Sequence, residues 1–451
     1  MTAADAALDA RDAVLALPFV SVAPAARDSA RLDRSGLQAS QPLAVARPST
    51  VVQVQDLVRA ANLARIPVIT RGAGSGLAGG AAATADAVIL DLSALNRIVS
   101  IEPRDRLAVV EPGVVTADLD RAARAHGLRY APDPASAAIS TIGGNIATNA
   151  GGLRCVKYGV TRDAVRALDV VLADGRLLSL GATTRKGVTG YDLVSLFVGS
   201  EGTLGVVVGA TVALSPLPAA TATVRASFAT VGDAARAVAS VLASGVTPAV
   251  AELLDAATLE AIDAYRGTSW GAAGGALVLM QTEGVAARAE LDEVARVLRF
   301  SGGEVEATND AAEGEALLAA RRDALPAIEA IGAPVIEDIA VPLSRVADAV
   351  DELQAIAARH GVRIFTFAHA GDGNLHPLVV ATSDTSDVDG AADAIFALAL
   401  RLGGTVTGEH GVGQLKRAWA RRELGEVALD VHAAVRGALD PHAIFNPGRA
   451  F

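Results

Sequence analysis

Four residues toward the C-terminal end of the chain have the types and spacing of a metal site. His369 and His376 lie seven residues apart in the turn HAGDGNLHP, and Glu409 and His410 lie in a second glycine-flanked turn, TGEHGVG. Two neutral imidazoles and one carboxylate, with positions left for water or substrate, are typical ligands of zinc or a similar divalent ion. The alternative, histidines that are only hydrogen-bonded in loops, is the commoner role of a single histidine. Because three of the seven histidines fall in these two turns, we favour the metal site.

The composition restricts the chemistry that the chain can support. Cys155 is the only cysteine, which excludes disulfides, thiolate zinc sites and iron–sulfur clusters held by this chain alone. Any metal must therefore use histidine and carboxylate ligands. The formal net charge of -11 would repel phosphate backbones and anionic lipid surfaces, so nucleic-acid binding is disfavoured. An anionic substrate would need a local cationic site.

Length and hydropathy predict several packed units without a membrane span. The 451 residues exceed one ordinary core, and a hydrophobic fraction of 51% excludes a mainly disordered chain. The N-terminal segment MTAADAALDARDAVLAL lacks a basic region followed by an unbroken apolar stretch, so we expect no signal peptide. No uncharged apolar run approaches the length of a bilayer span. We therefore expect a cytoplasmic protein.

The segment TRGAGSGLAGGA, residues 70–81, has the character of a phosphate-binding loop. Its five glycines leave backbone N–H groups that can close on a phosphate. Gly74, Gly76 and Gly79 spell the dinucleotide fingerprint GxGxxG, but the next apolar run begins only eight residues after Gly79. A Rossmann unit needs a helix of about a dozen residues there, so that interpretation is rejected. A plain surface turn remains the alternative.

A second segment, from Pro132 to Val165, could hold a flat heteroaromatic ring. Backbone groups and Asn or Thr side chains supply donors and acceptors that suit imide-like N–H and C=O edges. The alternative is a long glycine-rich loop without a ligand, which is uncommon inside compact domains. The small and amide residues of this segment include Ser136, Ser140, Thr141, Gly143, Gly144, Asn145, Thr148, Asn149, Gly151 and Gly152. A third cluster, GSEGTLGVV at 199–207, repeats the pattern.

Periodicity predicts the elements that position these segments. A helix is expected over about 50–64 with Ser49 and Thr50 as caps, followed by a strand at 66–70. Further strands are expected at 87–93, around 106–114, within 166–180 and at 203–214. The sequence SPLPAA after them is the best linker candidate. Alternating helices and short strands from about 220 to 400 indicate a separate α+β unit.

The order of RGAGSGLAGG, PDPASAAISTIGGNIATNAGG with KYGVTRDAV, KGVTGYDL, GSEGTLGVV, FAHAGDGNLHP, TGEHGVGQLKR and FNPGRAF resembles the FAD-linked oxidases of the vanillyl-alcohol oxidase type. Within that family the chain is similar to the glycolate, D-lactate and D-2-hydroxyglutarate dehydrogenases. The resemblance implies an α+β fold: a two-part FAD-binding domain of the p-cresol methylhydroxylase (PCMH) type at 1–218 and an α+β cap domain with an antiparallel sheet at 219–400. A C-terminal segment at 401–451 would return to the FAD domain and complete the active site.

The resemblance also implies which residues hold FAD. Ser75 stands where some family members attach the flavin through a histidine, so non-covalent FAD is expected. The pyrophosphate would be held by Arg71, Gly72, Ala73, Gly74, Ser75, Gly76 and Leu77. The rest of FAD would be lined by Pro132, Gly143, Gly144, Asn145, Thr148, Asn149, Gly152, Gly159, Glu201, Val206 and Asn446.

The resemblance further implies the oxidation of a small 2-hydroxy acid to the 2-oxo acid. Arg321 would bind the substrate carboxylate as a bidentate fork, with Arg322 the alternative and Asn374 helping. A divalent metal, expected to be zinc, would bind the 2-hydroxyl, while His410 removes its proton and the hydride passes to flavin N5. The metal ligands would be His369, His376 and Glu409.

Two other functions stay open at this stage. One is a flavin-dependent alcohol or aldehyde oxidase that uses oxygen, and the other is a flavin-carrying subunit of a multi-protein dehydrogenase. Since the chain lacks cysteine clusters, onward electron transfer needs an external acceptor, such as an electron-transfer flavoprotein, a quinone-linked protein or a cytochrome. A homodimer is the assembly considered.

Overall fold

The computed structural model of the protein describes residues 10–273 and 275–451. The first nine residues, which belong to the predicted domain 1–218 and to the segment expected not to be a signal peptide, lie outside the described residues. Among the residues that are described, no helix combines the length and apolar character needed to cross a bilayer.

The strands and helices follow one another along the described part of the chain. The strands are β1 Val20–Ser21, β2 Ala44–Ala46, β3 Val68–Arg71, β4 Val88–Asp91, β5 Ile98–Glu102, β6 Leu107–Val110, β7 Leu128–Arg129, β8 Val165–Val171, β9 Leu177–Gly181, β10 Val206–Ala213, β11 Ser215–Pro216, β12 Thr221–Phe228, β13 Val250–Asp255, β14 Ala276–Glu283, β15 Glu304–Thr308, β16 Val335–Ile336, β17 Ile339–Ala340, β18 Val362–His369 and β19 Asn374–Ala381. The helices are α1 Pro24–Ser29, α2 Val51–Ala64, α3 Thr116–Arg124, α4 Ile142–Thr148, α5 Cys155–Tyr158, α6 Thr161–Ala164, α7 Leu193–Phe197, α8 Val231–Ala243, α9 Ala256–Arg266, α10 Ala287–Phe300, α11 Ala311–Arg322, α12 Ala324–Glu329, α13 Val346–His360, α14 Val388–Arg401 and α15 Arg417–Leu439.

The chain divides into two compact units. The first contains residues 1–150, 160–217 and 410–451, and the second contains residues 151–159 and 218–409. The passage from one unit to the other at 217/218 falls within SPLPAA. Its first two residues are not a free linker, however, because Ser215–Pro216 pair with Leu128–Arg129. The segment predicted as 401–451 is divided between the units after Glu409.

The first unit contains two main sheets. One has the order β1-β2-β4-β3, with β2 and β3 both parallel to β4, and the other has the order β5-β6-β10-β8-β9 with antiparallel neighbours. The predicted helix is confirmed at Val51–Ala64: the Thr50 side chain accepts a hydrogen bond from Gln53 N, and Val54, Leu57, Val58 and Ala61 form its buried face. Every residue from 72 to 87 is described and none is helical, which confirms that the glycine segment is not part of a Rossmann unit.

The second unit is built on an antiparallel sheet with the order β15-β12-β14-β13-β18-β19-β16, and β17 also pairs with β19. Its inner strands β13 and β14 are buried along their whole length, which explains why apolar residues follow one another in them, as in Ala276–Met280, rather than alternating with polar ones. The antiparallel sheet and the alternation with helices confirm the predicted α+β character of this part of the chain.

Candidate active site

A tight hairpin in the second unit brings the two histidines of the first turn onto one face of the sheet. Strands β18 and β19 pair with His369 opposite Asn374 and Phe367 opposite His376. Side chains at positions two residues apart on a strand point to the same face, so His369 and His376 are diagonal neighbours. Their ring centroids are 5.2 Å apart with the rings edge to face. Gly373 closes the hairpin with φ of 87°, where a side chain would also clash with the Val341 carbonyl oxygen.

The Nε2 atoms of both imidazoles face the carboxylate of Glu409. His369 Nε2 lies 3.6 Å from Oε1 of Glu409, and His376 Nε2 lies 3.8 Å from Oε2. One ligand atom from each of these three residues lies within 4.8 Å of the other two, which is compatible with a single divalent ion. The two histidines are buried and Glu409 is partly buried.

Each imidazole has a second buried carboxylate on its Nδ1 side. His369 Nδ1 lies 2.6 Å from Oε1 of Glu252, and His376 Nδ1 lies 3.8 Å from Oδ1 of Asp338. The Glu252 contact is a hydrogen bond that favours the proton on Nδ1 of His369 and leaves its Nε2 lone pair for a metal, whereas Asp338 Oδ1 lies beyond hydrogen-bond distance of His376. The donor set and the orientation of both rings therefore fit a divalent cation.

The Glu409 turn is held by the other oxygen of Asp338. Oδ2 accepts hydrogen bonds from Thr407 Oγ1 at 2.9 Å, from Gly408 N at 3.0 Å and from Glu409 N at 3.0 Å. Asp338 is completely buried. It thus connects the Nδ1 side of His376 to the backbone that carries Glu409.

Electrostatics also indicate a place for a cation. Burial and the carboxylate of Asp338 raise the pKa of Glu409 to about 7, against the opposing effect of His369. Burial by itself lowers the pKa of His369, but Glu252 and Glu409 reverse the effect and raise it above the ordinary value. Burial likewise raises the pKa of Asp372, in the same hairpin, to about 6. Burial thus disfavours the charged forms of Glu409 and Asp372, a cost that a bound cation would offset.

Arg321 lies at the same site but is engaged by Glu252. It sits in the last turn of α11 with its guanidinium 4.3 Å from the Phe367 ring centroid. Its Nε and Nη2 atoms lie 2.7 and 2.6 Å from Oε2 of Glu252. The sequence predicted that this guanidinium binds a substrate carboxylate in a bidentate contact. In the structure its Nε and Nη2 edge faces the carboxylate of Glu252, which lies on β13 directly opposite His369 of β18. Arg322 instead pairs with Glu315 at the surface.

Asn374 presents an unused amide. The residue is buried, and neither its Oδ1 nor its Nδ2 has a hydrogen-bond partner among the described residues. Gly408 packs so closely against this amide that any side chain at position 408 would clash with it. A buried amide without partners is costly unless a ligand satisfies it.

In the first unit, the two glycine-rich segments meet. A side chain on Gly72 would clash with Oγ1 of Thr141 and approach the backbone of Gly144, at the start of α4. Next to this contact, the buried hydroxyl of Thr70 has no partner among the described residues. The close approach of bare backbone and an unsatisfied hydroxyl fits a phosphate group of FAD.

Several predicted FAD residues use their side chains within the protein. Asn145 donates to Thr116 Oγ1 at 2.8 Å, and Asn149 Oδ1 accepts from Arg162 N at 2.8 Å. Thr148 Oγ1 lies 3.4 Å from the Gly144 carbonyl oxygen. Such residues could contact a cofactor only through their backbone or remaining polar atoms.

Glu201 and Asn446 also have internal partners. The Glu201 carboxylate accepts from Val412 N and Gly413 N, both at 2.7 Å, and burial raises its pKa although these hydrogen bonds oppose the shift. Asn446 Nδ2 donates to the Glu201 carbonyl oxygen at 2.5 Å, while its Oδ1 accepts from Thr70 N at 3.0 Å. These contacts bring the C-terminal segment back to β3.

The remaining predicted residues are distributed over both units. Pro132 and Val206 are buried in the first unit, whereas Gly152 and Gly159 belong to the short piece 151–159 of the second unit. His410 directly follows Glu409 in the chain and belongs to the first unit. The loop Gly72–Leu77 follows β3, where Arg71 donates to the Leu32 carbonyl oxygen at 2.7 Å.

The sequence interpretation missed Glu252 and Asp338. The signal for Glu252 was a lone carboxylate inside the apolar run AVAELL, which is unusual for a strand buried on both faces. Asp338 precedes the short apolar strand β17 and carried no comparable signal.

Two family models match the chain in succession. An FAD binding domain matches residues 42–181, and the C-terminal domain of FAD linked oxidases matches residues 217–450. The second match alone covers more than half of the chain.

Curated relatives match over nearly the full length. The glycolate oxidase subunit GlcD of Bacillus subtilis (strain 168) is 40% identical over 420 residues, which are 91% of this chain and 89% of that protein. GlcD of Escherichia coli (strain K12) is 33% identical over 418 residues, covering 91% and 84%. The D-lactate dehydrogenase of Archaeoglobus fulgidus is 34% identical over 418 residues, covering 91% and 92%.

Solved structures confirm the fold. The crystal structure of p-cresol methylhydroxylase with substrate bound superposes with a TM-score of 0.80 at 19% identity, covering 99% of this chain and 96% of that one. The 4-ethylphenol oxidase of Gulosibacter chungangensis gives a TM-score of 0.77 at 19% identity, covering 99% and 97%. Together with the family models, these matches establish the PCMH-type fold and show that the chain belongs to the FAD-linked oxidase family.

Proposed function

We propose that this protein oxidises a small 2-hydroxy acid of the glycolate or D-lactate type to the 2-oxo acid, with non-covalent FAD as the electron acceptor and a divalent metal, such as zinc, at the site. The observation that carries the proposal is the convergence of His369 and His376 Nε2 on Glu409, beside the unsatisfied amide of Asn374. The names of the relatives, glycolate oxidase subunit and D-lactate dehydrogenase, support the substrate class.

His369, His376 and Glu409 would hold the metal. When bound, a divalent ion supplies Lewis-acid polarisation of the substrate hydroxyl. Glu252 keeps the His369 imidazole turned toward Glu409, and Asp338 holds the turn that carries Glu409, so these ligands need little rearrangement. This preorganisation supports metal binding rather than a purely structural role for the histidines.

The phosphates of FAD would be held by Arg71 to Leu77, together with Thr70 and the start of α4. When bound, FAD is the acceptor of two electrons.

Gly151 belongs to the segment that is predicted to bind the flavin ring, and its position supports a link between that segment and the metal site. A side chain on Gly151 would come within 2.5 Å of Glu409 Oε1, so only bare backbone fits against this ligand. Both residues belong to the second unit.

Arg321 and Asn374 would bind the substrate carboxylate. Arg321 Nη1 makes no hydrogen bond within the described part of the chain, while Nε and Nη2 are held by Glu252. The Asn374 amide offers two N–H donors and one acceptor oxygen. A carboxylate that binds Nη1 and the Asn374 N–H would satisfy groups that lack partners.

His410 would accept the hydroxyl proton as the hydrogen on Cα leaves with its electron pair. Its position directly after Glu409 supports this role. Because consecutive Cα atoms are about 3.8 Å apart, the backbone of His410 must lie close to that of the proposed metal ligand. The electrons must then pass to another molecule, because Cys155 is the only cysteine and this chain holds no cluster of its own. We propose a protein acceptor: an electron-transfer flavoprotein, a quinone-linked protein or a cytochrome.

The test is anaerobic mixing of the purified flavoprotein with glycolate, D- and L-lactate, malate and D-2-hydroxyglutarate while the flavin absorbance is followed. We expect at least one acid to bleach the flavin, dialysis against a chelator to abolish the bleaching, and zinc to restore it. His432→Ala is a matched control, because this histidine contacts Ala428 and Phe451 in the C-terminal helix region and should leave the reaction unchanged. A flavin that none of these acids reduces would refute the proposal.

A second candidate is a flavin-carrying subunit without its own chemistry. The curated names of the Bacillus subtilis and Escherichia coli relatives describe them as subunits, which favours this candidate over an oxygen-using alcohol oxidase. Reduction of the flavin in the isolated chain would identify the chain itself as the catalyst.

A further inference from the structure

Glu252 contacts both halves of the proposed site at once. Its Oε1 lies 2.6 Å from His369 Nδ1, and its Oε2 lies 2.7 Å from Arg321 Nε and 2.6 Å from Arg321 Nη2. The residue is completely buried, so no solvent replaces either contact. Burial on its own raises the pKa of this carboxyl, but His369 and Arg321 reverse the effect and hold it below the ordinary range.

The sheet fixes Glu252 in this position. Strand β13 pairs with β18 so that Glu252 stands directly opposite His369. The ring of Phe367, two residues before His369 on β18, packs against the Arg321 guanidinium, with its centroid 4.3 Å from Cζ. Strand pairing therefore fixes the contact between Glu252 and His369, while Arg321 reaches Glu252 from the last turn of helix α11.

We propose that Glu252 is a positioning residue that couples metal ligation to binding of the substrate carboxylate. This inference rests on the proposed function. One oxygen accepts the Nδ1–H of His369 and turns Nε2 toward the metal. The other oxygen accepts hydrogen bonds from Nε and Nη2 of Arg321. The substrate carboxylate is therefore bound through Nη1 and not through the bidentate contact that the sequence suggested.

The contacts of Asp338 differ from those of Glu252. Asp338 also lies on the Nδ1 side of a histidine, at 3.8 Å from His376, but its other oxygen holds the Thr407–Glu409 backbone. These contacts of Asp338 involve a metal ligand and the turn that carries another. Glu252 joins a metal ligand to a residue for the acid.

The decisive variant is Glu252→Gln. A glutamine has one acceptor oxygen and one donor amide, so it can serve His369 or Arg321 but not both. We expect the zinc dissociation constant, measured by competition with a chromogenic chelator, to rise about 10- to 100-fold. At saturating zinc we expect KM for the acid to rise about tenfold or more, with kcat changed by less than about fivefold. The flavin content of the purified variant checks that it is folded.

A double variant separates coupling from a general loss of structure. In Glu252→Gln with Arg321→Met, the glutamine oxygen is free to accept from His369, and no guanidinium is left unpaired. Zinc affinity should return to within about threefold of the wild type while KM stays high. Asp255→Asn is the matched control: Asp255 is a buried carboxylate on the same strand that caps α9 and makes no contact with Arg321 or His369, so both constants should stay within about twofold.

Two results would overturn the inference: zinc binding by Glu252→Gln that equals the wild type, or a double variant that binds zinc no better than the single one. Failure of the proposed function is recognised separately, because it appears in the wild type as absent zinc binding or absent flavin reduction by every acid.

Discussion

The completely buried carboxylate of Asp338 accepts a hydrogen bond from the backbone N–H of Glu409 at 3.0 Å, although the two residues are 71 positions apart in the sequence. The same oxygen accepts from Gly408 N and Thr407 Oγ1. A single carboxylate thus fixes the turn that carries the third proposed metal ligand.

Removing this carboxylate should weaken both metal binding and the fold. In Asp338→Ala, three donors lose their acceptor, and we expect zinc affinity to fall about 10- to 100-fold. The free energy of unfolding of the second unit should fall by about 1–3 kcal/mol. Chelator competition and urea titration measure the two effects. Asp338→Asn keeps one acceptor oxygen and should show smaller losses, and unchanged zinc affinity in Asp338→Ala would contradict the assignment.

Glu201 should control the turn after His410. Its carboxylate accepts hydrogen bonds from Val412 N and Gly413 N, and Glu201 itself adopts a left-handed backbone with φ of 51°. Glu201→Ala leaves two buried N–H groups without an acceptor, so we expect a loss of about 3 kcal/mol in unfolding free energy and slower flavin reduction. Thermal unfolding and stopped-flow absorbance measure these quantities.

Asp263 provides the comparison for Glu201. Its carboxylate accepts from Trp270 N at 2.7 Å and from Gly271 N at 2.8 Å, which is the same kind of clamp in the second unit. Asp263→Ala should lower stability but leave the rate of flavin reduction unchanged. Equal rate losses in both variants would mean that Glu201 acts only through general stability.

His410→Ala should separate flavin binding from flavin reduction. If His410 accepts the hydroxyl proton, its removal should slow reduction by the acid about 10²- to 10⁴-fold, while the flavin spectrum and content stay as in the wild type. Rapid anaerobic mixing gives the rate. His360→Ala, which removes a histidine paired with Asp387 at the surface of the second unit, is the control. A normal reduction rate in His410→Ala would remove this residue as the base.

Local sequence patterns predicted the longer helices and strands because the residues that determine these elements lie within the elements themselves. The helix at Val51–Ala64 has its cap and apolar face within its own sequence, and the hairpin Val165–Val171 with Leu177–Gly181 has mainly apolar strands around an Asp-Gly turn. The strand Ile98–Glu102 was missed because its side chains are mostly half-exposed or exposed. Two-residue strands such as Ser215–Pro216 exist only through their partner and leave no pattern.

The residues of the candidate site also fall into two groups: those that a local pattern reveals and those that depend on contacts between distant parts of the sequence. His369 and His376 were found because a short hairpin brings them together. Glu252 was not, because its contact with His369 spans 117 positions and depends on the order of strands in the sheet. The pairing of Arg321 with Glu252 was hidden for the same reason. Tyr158 and Lys157 pair with Glu283 within the second unit, a contact that no local pattern in residues 151–159 indicates.

Asn374→Leu should lower substrate affinity without destabilising the protein. Both amide atoms of Asn374 are buried without partners among the described residues, so an apolar side chain of similar size removes an unsatisfied group. We expect the unfolding free energy to stay constant or rise by up to about 1 kcal/mol, and KM for the acid to rise about tenfold or more.

Asn145→Leu is the contrasting variant for stability. The buried Asn145 amide donates to Thr116 Oγ1 at 2.8 Å, so this change should lower the melting temperature. A large loss of stability in Asn374→Leu would show that its amide has a structural role and would count against substrate binding.

Asp255 should make the stability of the second unit depend on pH. Burial raises its pKa to about 6 from the ordinary value of 3.8, against opposing hydrogen bonds from Thr258 and Thr366. As the pH rises from 3.8, the unfolded chain loses this proton first, so the folded state binds more protons until about pH 6 and stability falls across that window. The loss amounts to about 3 kcal/mol and stays constant at higher pH. Asp255→Asn caps the helix but cannot ionise, so its urea midpoint relative to the wild type should increase between pH 4 and 6 and then level off. A difference that does not change with pH would show that Asp255 has the same pKa in the folded and unfolded states.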